Sequence, residues 1–515
     1  MIPRPDQVNI AQPLLPYLDS PSPRTPEDFL LLEQGAFKAG AQSADLIIVK
    51  HLRVVHEDKV FVRQAIEAAK LNSPHPLVCK GLKETSILLQ GGTRIVVRTP
   101  YLREDHHGKP GRKRKKRGKK GSGIYPVLDA LGIRDGVSPA TRSEIALHTV
   151  QVGSYQEAIE LLERRGLSCD VSTLARIASA TARADISLRD AALSAAINIP
   201  VPIDGPLAGK RVCVSIDGGR VRTRKTSRGR KTKKGRRRFT TPWREPRVMV
   251  IDILDEEGRP DMFRLPLYDV LIDDADAAFY MLVGYLRLLG AAHAVVVEFI
   301  ADGADWIWDR IDRLITDAEI PASKLVQVLD FYHGTEHLHE AVELCSDLPK
   351  KKREKLYRKL VHLLRHDPEG VNRIIEQLTE RGKMSRQGEK MKKALAYFEK
   401  HSGRMRYHSV SSMKLPIGSG LVESAVRRVI NLRFKAPGSF WNENTVNGLM
   451  HLRACFKAGR WDELMRRVLR GQFQTPSFDT SPSTKNTPPR TDADLPDLLC
   501  ASADDYQNQA SGAKA

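Results

Sequence analysis

The amino-acid sequence predicts a mixed α/β protein: a sheet-based core interrupted by a helical insertion and preceded by a mostly helical region. Three observations carry this expectation. Residues 211–217 (RVCVSID) and 247–254 are rich in β-branched and apolar residues. Residues 294–301 (AVVVEFIA) are almost wholly apolar, the pattern of a strand buried on both faces. Residues 346–410 are highly charged, with helical spacing and no strand signal.

The elements follow in order. Residues 1–24 are Pro-rich and expected to be loose. Thr25-Pro26-Glu27-Asp28 reads as a helix start, with Pro at the first helical position and acids in the first turn. Two or three helices should follow, to about Leu71. Glu84–Leu89 and Arg94–Arg98 flank Gly91-Gly92 as a hairpin. Residues 137–200 read as helical. Within them, 154–164 and 171–181 suit a helix-turn-helix that turns Ser172, Thr173 and Arg176 toward DNA. Strands are expected at 211–217, 247–254, 262–268, 294–301 and 325–329, with helices at 274–289 and 305–316. That gives the order β-β-β-α-β-α-β. Residues 419–432 form one more helix, and the Ser/Thr/Pro/Asp-rich stretch after Gly471 is expected to be disordered.

The 515 residues are too many for one ordinary domain. The expected division is 1–82 (helical), 83–125 (hairpin and basic loop), 126–205 (helical, DNA-binding), 206–345 (first part of the core), 346–410 (helical insertion), 411–470 (last part of the core) and 471–515 (tail).

A net charge of +21 points to a polyanionic partner. Residues 103–120 hold ten Lys/Arg against Glu104 and Asp105, and residues 220–238 hold twelve with no acid. Without those two runs the net charge is only +1. The basic residues are therefore concentrated where they could neutralise phosphates and release counterions. The candidate DNA contacts are Arg112, Lys113, Arg114, Lys115, Lys116 and Arg117 in the first run, with Arg236, Arg237 and Arg238 in the second. The six cysteines form no CxxC pair, which argues against a zinc knuckle or a disulfide framework and fits a reducing compartment. The N-terminus lacks a signal-peptide pattern, and no apolar run approaches the ~20 residues of a membrane span. The expected location is the cytoplasm, with access to the nucleoid.

Three acids stand out. Asp217 ends the first core strand before Gly218-Gly219, and Asp302 ends the buried strand before Gly303. Carboxyl ends of strands are where open α/β sheets place ligands. Glu423 falls in the first turns of the helix that follows Gly418-Ser419-Gly420, opposite the apolar face of Val422, Ala425, Val426 and Val429. Three hard oxygen donors with no His or Cys suit two Mg²⁺ or Mn²⁺ ions and in-line phosphoryl displacement.

Four segments then carry a resemblance: SIDGGRVR (215–222), FIADGADWIW (299–308), LDFYHGTEHL (329–338) and IGSGLVESAVRRVINLRFKAPGSFW (417–441). With them the chain resembles bacterial insertion-sequence transposases of the DDE class, above all the Kra-type group, and more distantly the Mutator type. The likeness spans roughly residues 126–470. It implies an RNase H-like core with an all-helical insertion before the last acid. It also implies metal-dependent cleavage and transfer of double-stranded DNA at element ends and target, and a homodimer or higher assembly on that DNA. The implied catalytic and metal-holding acids are Asp217, Asp302 and Glu423. Asp330 and His333 are implied as accessory residues, and Arg433, Lys435 and Trp441 as DNA-contacting or site-supporting ones. The chain departs from the pattern after Tyr101, where cysteines of a small zinc unit are expected and none stands.

Three other readings compete, one of them a plain nuclease with the same core that would cleave DNA and never join a 3′-hydroxyl to a target. A DNA-binding protein without catalysis would keep the basic runs and leave the three acids idle. A zinc peptidase would use His333, Glu336 and His337, which fit an H-x-x-E-H pattern, but it leaves the basic runs and the Gly-Ser-Gly-Glu segment unexplained.

Overall fold

The computed structural model describes residues 9–18, 20–104, 123–226, 229, 231–233, 235, 237–384 and 387–479. The first basic run beyond Glu104, with Arg112–Arg117, lies outside these, as do Arg236 and the tail from 480.

Helix α1 (Pro26–Glu57) starts where expected, closed by a reciprocal cap. The Thr25 hydroxyl accepts from the Asp28 N–H, and the Asp28 carboxylate accepts from the Thr25 N–H, both at 3.1 Å. Helix α2 (Lys59–Leu71) follows. The hairpin strands β1 (Leu77–Leu88) and β2 (Arg94–Glu104) run longer than the alternation suggested, because an irregularity between Cys79 and Leu82 absorbs the break in register. Buried Asp45 on α1 holds the hairpin turn, accepting from the Gly91 and Thr93 N–H groups at 2.9 Å each.

Helices α3 (Pro139–Gln151), α4 (Tyr155–Arg164) and α5 (Val171–Ile197) come next. Helix α5 runs past Thr181 as one piece, since no Gly or Pro interrupts 171–197. Strands β3 (Arg211–Gly218), β4 (Arg247–Leu254), β5 (Leu267–Leu271), β6 (Val296–Ala301) and β7 (Leu325–Leu329) form a five-stranded sheet in the order β5-β4-β3-β6-β7. β4 is antiparallel to β5 and β3, and β3, β6 and β7 are parallel. β5 begins at Leu267 rather than at Met262. Pro266 has no N–H to give a ladder, and its carbonyl is taken by Arg460 at 2.8 Å. Helix α6 (Ala275–Leu288) links β5 to β6, and two short helices (Asp305–Trp308 and Ile311–Asp317) replace the single one expected before β7.

Helix α7 (Phe331–Glu343) still falls in the expected first part of the core, and three helices then lie within the expected insertion: α8 (Lys350–His366), α9 (Gly370–Met384) and α10 (Gly388–His401). Helix α11 (Gly420–Val426) carries Glu423 and widens into a π-helical turn over Arg427–Asn431. Helices α12 (Glu443–Lys457) and α13 (Trp461–Arg470) close the described chain.

The two faces of the sheet bury separate apolar clusters, as strand alternation requires. Met249, Ile251 and Ile253 pack with Leu282 and Leu286 of α6. Val248 and Val250 pack with Val422 and Val426 of α11, Leu449 of α12, and Ala178 and Ala182 of α5. Helix α5 is thus part of the second layer. A buried charge network reinforces that layer. Arg189 donates to Asp269 at 2.9 Å, the His451 ring bridges Asp269 (3.0 Å) and Asp185 (2.9 Å), and Arg467 donates to Asp185 at 2.7 Å. Among the described residues no helix is long and apolar enough to cross a membrane.

Candidate functional site

The site forms where β3, β6 and β7 end. Phe299 pairs with Val214 and Ala301 with Leu329. Continuing both registers sets Asp302 level with Asp217 on one side and with Asp330 on the other. Three adjacent parallel strands therefore each end in an aspartate at the same height. Asp217 lies opposite Val248, whose side chain belongs to the face that α11 covers.

Local hydrogen bonds hold each acid. The Gly218 N–H donates to Asp217 at 2.6 Å, and the Ala304 N–H to Asp302 at 3.0 Å. Asp330 is buried and accepts from the Tyr332 N–H (3.3 Å) at the start of α7 and from the Ser419 N–H (3.2 Å). The Ser419 hydroxyl donates to Glu423 at 3.2 Å. The Phe331 N–H adds a bond to the Ile417 carbonyl at 2.9 Å. The segment before Glu423 is therefore tied to the end of β7 through Asp330. Gly219 permits the close approach of α11 to β3, since a Cβ there would overlap Ile430.

Electrostatics ties the acids together. Burial pushes Asp217 up to about 6, and the charge of Asp302, then those of Glu423 and Glu245, act in the same direction against the Gly218 N–H. The oxygens are not drawn tightly together. Among the described residues, the one group of three His, Cys, Asp or Glu side chains whose ligand atoms all lie within 4.8 Å of one another is Asp185, His451 and Cys455. That group suits a charge network better than a metal. Carboxylates occupy both His451 ring nitrogens, and Arg467 already pairs with Asp185.

Two neighbours were not legible in the sequence. Glu245 lies against Gly218 and adds its charge to Asp217. Tyr397 reaches in from α10, and a Cβ on Gly303 would overlap its hydroxyl. That hydroxyl is buried without a hydrogen-bond partner, and burial, then Asp302 and Asp330, push its pKa up. A tyrosine in a charged helical stretch gives no sequence signal for this position. His333 is partly exposed beside it, with ring centroids 5.0 Å from His337 and 6.5 Å from Tyr397. His337 lies 3.9 Å from the Tyr397 ring, and burial lowers its pKa. Its Nδ1 faces Glu340 at 3.3 Å, and the His333 Nδ1 faces Glu336 at 3.7 Å.

The second basic run leaves the sheet directly after Asp217 as a hairpin arm. Val221–Arg222 pairs with Trp243–Arg244, and Lys225–Thr226 pairs with Phe239–Thr240. Arg222 lies over the Trp243 ring at 5.1 Å and Arg224 over Phe239 at 4.2 Å. Arg237 and Arg238 are exposed on the arm, and Lys435 is exposed beyond the helix that carries Glu423. The arm is joined to that segment by its backbone. The Arg224 N–H donates to the Trp441 carbonyl at 2.7 Å, and the Trp441 N–H donates to the Arg222 carbonyl at 3.0 Å. Trp441 is a support, wedged against Phe434 and Tyr155.

Two expected DNA contacts are engaged elsewhere. Arg433 is buried at 1% exposure and donates to the Gly153 and Thr149 carbonyls at the end of α3. Arg433→Met should therefore cost ~2–3 kcal/mol of stability, from two stranded acceptors and a lost charge. It should also leave the salt dependence of DNA binding unchanged; a shallower salt slope without loss of stability would restore Arg433 as a phosphate contact. Arg176 pairs with Asp135 at 2.5 Å and donates to its carbonyl at 3.1 Å, while Ser172 and Thr173 bond Asp170 at the start of α5. These hydrogen bonds tie α5 to its own turn and to the loop before α3, and the Arg176 side chain stays 46% exposed.

No family model matches the chain, and no curated protein matches it.

Proposed function

We propose that this chain cuts and joins double-stranded DNA by metal-dependent phosphoryl transfer, as the insertion-sequence transposases it resembles do, with Asp217, Asp302 and Glu423 as the metal-holding acids. The observation that carries the reading is the level row of aspartates on three adjacent parallel strands, with Glu423 hydrogen-bonded into it through Ser419. The strand order is that expected of an RNase H-like core, and helices α8, α9 and α10 stand where the resemblance implies an all-helical insertion.

The donor set is all carboxylate oxygen, which fits Mg²⁺ or Mn²⁺. Two such ions, when bound, would activate a water or 3′-hydroxyl and neutralise the leaving oxygen. The chain's own residues do the remaining work. Asp330 is a positioning residue, holding the Glu423 segment through the Ser419 N–H. The basic arm brings phosphates to the end of β3 on which Asp217 sits. DNA ends and target are the proposed partners, handled by a homodimer or higher assembly in the nucleoid.

The direct test offers the full chain, with Mg²⁺ or Mn²⁺, duplex DNA carrying its element's terminal repeats. Strand cleavage followed by joining of the 3′-hydroxyl to a target duplex is expected. Binding without cleavage in either metal would reduce the protein to a DNA-binding one. A second expectation concerns the arm. Replacing Arg222, Arg224 and Lys225 together with serine should reduce the slope of log affinity against log salt by roughly 2–3, at ~0.9 per phosphate contact. An unchanged slope would remove the arm from the DNA path.

A further inference from the structure

Tyr397 stands on α10, inside the helical insertion, yet its phenol reaches the loop that follows β6. The ring is held on two sides, with centroids 3.9 Å from His337 of α7 and 4.8 Å from buried His401. Lys400, on the same helix, donates to Asp305 at 2.6 Å and ties α10 to the helix start beyond that loop. Gly303 admits the phenol, since a Cβ there would overlap its hydroxyl. That hydroxyl is closed off from water and has no hydrogen-bond partner among the described residues. A buried donor left unpaired costs stability, so the fold carries it at a loss. The acids whose charges bear on it are Asp302 and, less strongly, Asp330. Asp330 is already fixed by two N–H groups, those of Tyr332 and Ser419. Asp302 accepts from the Ala304 N–H of its own loop, and a carboxylate has capacity for further donors.

We propose that Tyr397 is a positioning residue for Asp302: in the ion-loaded site its hydroxyl donates a hydrogen bond to the Asp302 carboxylate and fixes the orientation in which that acid holds a divalent cation. The inference rests on the proposed reading of Asp302 as a metal-holding acid. It makes the helical insertion part of the site, with α10 supplying a donor to the end of β6. A hydroxyl unpaired in the free protein and paired in the loaded one has opposite effects on the two states. Its removal should relieve the first and weaken the second. Tyr407 provides the comparison. Its hydroxyl is also buried without a partner, but the acid whose charge bears on it is Asp330.

The test uses the full chain and Mn²⁺ alone, without DNA. Binding is followed by the electron paramagnetic resonance of the free ion, and thermal melts are recorded with and without Mn²⁺. The wild type should bind Mn²⁺, and Asp302→Asn should lose that binding. Tyr397→Phe should weaken it by ~10–100-fold, the usual effect of removing a group that orients a metal-holding side chain. Without metal the same variant should melt at or above the wild-type temperature, because an unpaired buried hydroxyl has been removed. Tyr407→Phe should leave Mn²⁺ affinity unchanged. Wild-type affinity in Tyr397→Phe, alongside its loss in Asp302→Asn, would overturn this inference and leave the reading of the acids standing. Equal weakening in Tyr397→Phe and Tyr407→Phe would also overturn it, since general loosening would then explain both. A lower metal-free melting temperature for Tyr397→Phe would show the hydroxyl already bonded in the free protein, which is equally fatal. Absence of any Asp302-dependent Mn²⁺ binding would remove the metal reading itself, and this inference with it.

Discussion

Asp217→Asn, Asp302→Asn and Glu423→Gln should each lower DNA strand cleavage by ~10³-fold or more while DNA binding persists. Each substitution keeps the shape of the side chain and removes the charge that would hold a divalent ion. Binding should survive because the proposed reading gives phosphate affinity to the basic arm and not to the acids; losing a negative charge beside the proposed DNA path should strengthen it slightly. The effects should not add. If the three acids act as one cluster, a double substitution should be no worse than the worst single one. Gel assays of cleavage and joining, run beside filter binding at matched salt, separate the two properties. Wild-type cleavage from any one of the three variants would remove that acid from the assignment. Loss of binding and cleavage together would point to misfolding, which thermal melts of the same preparations detect.

The second large effect lies inside the sheet. Glu298, on β6, is fully buried and faces the Cys213 thiol of β3. Burial pushes its pKa up to about 8, opposed only in part by the Cys213 thiol and Arg211. The side chain is therefore mostly neutral in the folded protein at pH 7. The folded pKa is raised, so protonation favours folding. This contribution is complete below the ordinary carboxyl range near 4.5 and is lost as pH rises through about 8. Across that window the slope approaches ~1.4 kcal/mol per pH unit, a loss of ~5 kcal/mol in all. Glu298→Gln should remove this dependence. The variant and the wild type should be similar near pH 4.5, and the variant should be the more stable by ~4–5 kcal/mol at pH 8–9. Urea midpoints measured across that range check this directly. Parallel stability curves for the two proteins would show that Glu298 does not titrate as described.

The sequence was readable where pattern and burial agree. The strands at 211, 247 and 325, and the apolar run ending at Ala301, lie where their composition put them, because strands buried on both faces leave little choice of residue. The fifth strand was misplaced by a few residues because apolar character alone does not register a missing N–H at Pro266. The candidate acids were legible through the strand-end Asp-Gly pairs at 217 and 302. Asp330 was visible only through the resemblance, and its hydrogen bond to Ser419 joins residues far apart in the chain. Tyr397 and Glu245 were not legible, because nothing local marks a side chain that reaches the site from another element. Arg433 was expected as a DNA-contacting or site-supporting residue. A basic residue in a motif suggests DNA, yet this guanidinium is spent on two backbone carbonyls.

The covering of the sheet bears on how the protein is made. The face that carries Asp217 is closed in part by residues from α11, α12 and α13, which leave the ribosome after all five strands and helices α7–α10. Domains fold as units, and the contacts that pair distant segments form last. A chain still in synthesis can pair its strands and expose its basic arm before Glu423 exists beside them. Whatever chemistry the acids perform is thereby withheld from the nascent chain until the segment that carries Glu423 has been made.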